Sequence, residues 1–111
     1  MEATVKILDW VELPTFELIP ILRQGAVLRL PYLESRLWEA QAQVKVFEDK
    51  YATTFAELNA RGLPDNASYE MHEDFIEWEY WGEVVQETAA ALHNIETILA
   101  KIEESVRVSP R

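Results

Sequence analysis

The chain has 111 residues, 49% of them hydrophobic, and 20 Asp/Glu against 10 Lys/Arg give a net charge of −10. That length holds a single domain, residues 1–111, and the apolar content excludes a disordered chain. Without cysteine there is no disulfide, no thiol nucleophile and no cysteine-held metal, and so acidic a chain is expected to bind nucleic acid little.

No apolar run approaches the ~18–20 residues of a membrane span. The opening MEATVKILDW lacks the basic, apolar, small-residue order of a secretory signal. A cytoplasmic interaction protein is expected rather than an enzyme, with no membrane partner.

Residues 1–30 read as an extended, β-rich segment. Val5, Ile7 and Leu8 precede a turn-like Leu13-Pro14-Thr15. Pro20 would remove a hydrogen bond and clash inside a helix, so it is placed on a strand edge. Gln24-Gly25 supplies a turn before Ala26–Pro31. A short helix over 15–22 is the alternative. Either way, Phe16, Ile19, Ile21, Leu22, Val27 and Leu28 demand burial against the rest of the chain or a partner.

Helical signals begin at Pro31 and extend to 61, with a break near 53. Leu33, Leu37, Ala40, Val44, Phe47 and Tyr51 form one helical stripe, with Trp38 one position off it and turned towards the N-terminal segment. Thr54 and Glu57 make a capping box for a short helix ending at Gly62. Residues 62–68 form a turn, and a long helix spans 69–104 before a tail at 105–111. Its stripe is Met71, Phe75, Trp78, Gly82, Val85, Ala89, Leu92, Ile95, Leu99 and Ile102, with a second row at Trp81, Val84, Ala91 and Ile98. Gly82 is expected to let another element approach closely. The fold class is therefore mainly α: a long antiparallel helical hairpin, coiled-coil-like in its spacing, with a short extended N-terminal segment. So wide an apolar face is expected to be completed by dimerisation into a bundle.

Charge is distributed unevenly. Residues 1–38 carry four basic and five acidic groups, whereas residues 39–111 carry six and fifteen. Between Arg61 and Lys101 there is no basic residue. Such a run is either a solvated helix face or a surface awaiting a basic protein, and the missing Glu–Lys pairs at i,i+4 favour the second. Its densest part, Tyr69–Trp81, holds the candidate partner-binding residues Glu70, Glu73, Asp74, Glu77, Tyr80 and Trp81, to which Trp10 of the apolar arm is added.

Catalytic spacing is missing. A HExxH zinc site on His72 needs a second histidine where Ile76 stands. Glu70 and Glu73 make one Glu-x-x-Glu pair of the kind that holds magnesium on helices, without a second motif or a nearby phosphate-binding cation. No catalytic residue, metal site or cofactor is expected. The rival readings are an adaptor or assembly subunit and, in another class, a metal-dependent hydrolase using Glu70, Glu73, Asp74 and Glu77.

Phe47-Glu48-x-Lys50-Tyr51, Thr54-Phe55-x-x-Leu58, Gly62 and His72-x-Asp74-Phe75-x-Glu77-Trp78 together resemble short prokaryotic helical-hairpin proteins. These are antitoxin-like partners in type II toxin–antitoxin modules. The resemblance covers about residues 37–81, and Ala52-Thr53 replaces the family's Gly-Met. It implies a homo-oligomeric protein that neutralises a basic partner such as a ribonuclease toxin.

Overall fold

The computed structural model describes the backbone of residues 4–8 and 11–108 and the side chains of residues 12–104. Two short strands lead the chain: β1, Thr4–Leu8, and β2, Val11–Pro14. They pair antiparallel, Val5 opposite Leu13 and Lys6 opposite Glu12, with a register slip between Lys6 and Leu8 that marks a β-bulge. Helices α1 (Thr15–Tyr51), α2 (Phe55–Arg61) and α3 (Tyr69–Val108) follow. The fold is mainly α, a helical hairpin of α1 and α3. Among the described residues, no helix is long and apolar enough to cross a membrane.

Two boundaries differ from expectation. Residues 15–30 are helical rather than extended, with Pro20 and Pro31 both inside α1. At the other end, α3 continues to Val108 through the first part of the expected tail. The reason for the first lies in the stripe. Ile19, Arg23, Ala26, Leu30 and Leu33 are spaced 4, 3, 4 and 3, and all five are at least half-buried. Each proline withholds one backbone donor at a cost of about 3 kcal/mol, and burial of a continuous helical row offsets it.

The chain divides into two compact units. The first joins residues up to Tyr32 with those from Leu92 onwards. There Ile21, Leu22, Gly25 and Ala26 of α1 border a shallow groove with Ile95 and Ile98 of α3. Ala26 and Ile102 are buried in this unit, while Arg23 is half-buried, its Nε without an acceptor among the described residues.

The second unit, Leu33–Ala91, holds the main core. Trp78 of α3 is 1% exposed. Its indole stacks on Phe47 at 5.8 Å and on Tyr51 at 5.9 Å, both from α1. Phe55 of α2 meets it edge-on at 5.7 Å and also contacts Phe75 at 4.8 Å. Leu58 closes the cluster from α2. Phe47 facing Trp78, with Tyr51 reaching Asp74, sets α1 and α3 antiparallel here. Ala40, Val84 and Thr88 continue the buried seam.

The ends of the elements follow local chemistry. Ala52, at φ 53°, is the left-handed residue that closes α1. Thr54 caps α2 by accepting from the Glu57 N–H at 3.2 Å. The reciprocal half of the expected capping box is replaced: Glu57 Oε2 accepts instead from Thr53 Oγ1 at 3.0 Å. Gly62 ends α2 at φ 83°, donating its N–H to the Leu58 carbonyl at 2.8 Å. Ser68 begins α3, its Oγ accepting from the Met71 N–H at 3.1 Å.

Two further expectations are corrected. Apart from the backbone of α3 itself, no atom of the described residues lies within 4 Å of the position a Gly82 Cβ would take, so none of them makes the close approach expected there. Trp38, expected to be covered by the N-terminal segment, is 73% exposed.

Candidate protein-interaction site

A helix turns about 100° per residue, so the acidic residues of α3 fall into two rows rather than one. Glu70, Glu73 and Glu77 share one edge with Tyr80. Glu79 and Glu83 lie on the opposite edge, with the buried row of Phe75, Trp78 and Val85 between. Missing Lys and Arg throughout this stretch leaves both rows without i,i+4 partners of opposite sign.

On the first edge, the carboxylates have different surroundings. Asp74 is only 15% exposed at its side chain. Its Oδ2 accepts from Lys50 Nζ at 2.6 Å and from the Tyr51 hydroxyl at 2.5 Å, tying α3 to the end of α1. These two donors, Lys50 first, hold the Asp74 carboxyl below its ordinary value of 3.8. The same bond to Asp74 raises the Lys50 ammonium, and burial followed by the bond to Asp74 raises the Tyr51 phenol. Lys50 also reaches Glu70 Oε1 at 3.4 Å. Asp74 is thus a latch within the fold, and Glu70 is partly neutralised beside it.

Glu73 and Glu77 are exposed and make no ion pair among the described residues. Tyr80 is 50% exposed and meets Trp81 edge-on at 5.2 Å. Trp81 is half-buried and packs against the Trp78 cluster, so its ring is shared between core and surface. The candidate residues on α3 therefore gather on one edge, with Asp74 and Trp81 turned inward and Glu73, Glu77 and Tyr80 outward. Trp10 lies outside the described residues. Sequence reading missed Lys50 and Tyr51 as partners of Asp74. The signal was the position of Lys50 at the end of α1, which the antiparallel return through α2 brings opposite the start of α3.

His72 and His93 are exposed. Among the described residues no group of three or more His, Asp or Glu is arranged to hold a metal ion. Comparison with protein-family models, with curated proteins and with solved structures yields no match.

Proposed function

We propose that this chain is a non-enzymatic interaction protein that binds and neutralises a basic protein, as the antitoxins it resembles do. The reading rests on one observation: Glu73 and Glu77 stand exposed beside Tyr80, in a stretch with no basic residue from 62 to 100. Like charges on one helix edge weaken the isolated helix and gain from a partner of opposite sign. Tyr80 adds a rigid amphipathic ring of the kind that anchors an interface. The same reading has the chain self-associate through the apolar side chains that α1 leaves exposed, and it places the protein in the cytoplasm.

Affinity capture from the native host, followed by mass spectrometry, tests it. The wild-type chain is expected to retain a basic protein that elevated salt releases. The triple variant Glu73→Gln, Glu77→Gln, Tyr80→Ala, which changes exposed residues only, is expected to retain about tenfold less. Retention of neutral or acidic partners only, or equal retention by the variant, overturns the reading.

A further inference from the structure

On the opposite edge of α3, a groove of about 460 Å3 opens between α1, α2 and α3 within the second unit. Val44, Phe55, Trp78 and Gly82 make its floor, and Glu48, Glu79 and Glu83 stand around it. Neither Lys nor Arg contributes to its lining. Gly82 keeps the floor open, because the space a side chain would take there is empty to 4 Å. Beneath it Trp78 is 1% exposed, and its indole N–H has no acceptor among the described residues.

We propose that this groove receives an arginine side chain from the basic partner, a deepening of the function proposed above that rests on it. Three carboxylates from two helices around an apolar floor match the two halves of arginine. The aliphatic stem lies on Val44 and over Gly82, and the planar guanidinium reaches the Phe55 ring that lines the groove. The guanidinium presents its N–H donors in a fixed fork, and the paired oxygens of Glu79, Glu83 and Glu48 accept them. Lysine offers a point charge and no plane to stack, so arginine is preferred. The groove is separated from Glu73, Glu77 and Tyr80 by the buried row of α3, which makes it a second point of attachment and a source of specificity. An acidic edge steers any cation, whereas a groove of this shape selects one.

Three capped peptides test the assignment, identical except for a central pair of arginine, lysine or citrulline residues. Titration is followed by the amide and indole N–H resonances of the 15N-labelled chain. The arginine peptide is expected to shift the Gly82 amide and the Trp78 indole signal and to bind about tenfold more tightly than the citrulline peptide. Gly82→Leu fills the groove from a site where a Cβ meets nothing within 4 Å, and leucine is the better helix former, so helical ellipticity is expected to be unchanged. That variant, and Glu79→Gln with Glu83→Gln, are expected to lose the arginine preference. Binding of the arginine peptide undiminished by these changes, but lost in the Glu73→Gln, Glu77→Gln, Tyr80→Ala variant, overturns the groove and leaves the basic-partner reading standing. Equal binding of the arginine and citrulline peptides, or none of either, overturns the groove. Capture of a basic protein from the host then decides the wider reading by itself.

Discussion

Asp74 carries two bonds from α1 through one carboxylate, which makes its protonation a stability switch of known sign. Its folded value is depressed below 3.8, so the stabilisation is complete above that value and is lost as pH falls through the folded one. The raised Tyr51 acts at the other end: its contribution is complete below its ordinary 10.0 and is lost as pH climbs through the folded value. Between those limits Asp74→Asn is expected to cost about 1–2 kcal/mol, since the amide keeps the shape and loses the charge-assisted bonds. Urea denaturation at pH 7 and pH 3 checks it. A difference that does not shrink at pH 3 removes the latch from the explanation.

Ala52 shows the opposite kind of residue, one that works against its own conformation. At φ 53° its Cβ is strained, and glycine reaches that region without cost. Ala52→Gly therefore relieves about 1–2 kcal/mol of strain, from which the extra freedom of glycine in the unfolded chain subtracts part. A net gain of about 0.5–1 kcal/mol is expected, read as a higher denaturation midpoint with an unchanged m value. A loss would mean that α1 ends elsewhere.

At the scale of the elements, the prolines of α1 are the informative defect. Pro20 and Pro31 are both exposed, so neither is kept for its packing. Pro31→Ala restores the donor for the carbonyl of Val27 and is expected to stabilise by about 1–2 kcal/mol, the intrinsic helix gain less the unfolded-state entropy. Thermal denaturation monitored by helical ellipticity checks it, and destabilisation would show that the helix does not pass through residue 31. The same prolines explain what sequence reading could and could not see. From Leu33 to Tyr51 every stripe residue is at least half-buried as the spacing predicts, because nothing interrupts the row. Upstream the row continues in the same 3–4 steps, but Arg23 and Ala26 disguise it as polar and small, and Pro20 outweighed the rhythm. In α3 the stripe was followed through Ala89, which is exposed, whereas the seam takes Thr88, 5% exposed. Trp78, Trp81, Val85, Thr88 and Leu92 keep the 3–4 alternation, and a hydroxyl at one position concealed it. The candidate site was legible as a charge run but not as two edges. Which carboxylate turns inward depends on where the Lys50 and Tyr51 side chains stand, and that is set by the return of the chain.

At the scale of the whole molecule, a net charge of −10 and the exposed apolar side chains make opposite demands on association. Two copies brought together at the acidic rows of α3 repel, and the cost falls with salt. The first half of α1 carries no such penalty: from Thr15 to Tyr32 it holds Glu17, Arg23 and Arg29. Ile21, Gly25, Leu28 and Tyr32 repeat there at steps of 4, 3 and 4, a second helical row beside the buried one. Ile21, Leu28 and Tyr32 are 54%, 78% and 51% exposed. A row of that spacing, nearly neutral and open to solvent, would meet a second copy of the chain with least repulsion. Sedimentation equilibrium over roughly 1–100 µM is therefore expected to show a monomer–dimer equilibrium that strengthens with salt. Leu28→Glu places a charge in the middle of the row and is expected to shift the equilibrium to monomer while helical ellipticity stays unchanged. Lys and Arg variants of the acidic edge, by contrast, leave the equilibrium in high salt as it was. A wild-type monomer at every concentration and salt, or a dimer indifferent to Leu28→Glu, excludes this face. Self-association through the neutral row of α1 and capture of a basic partner through α3 use different residues, so the two are expected to be additive rather than competitive.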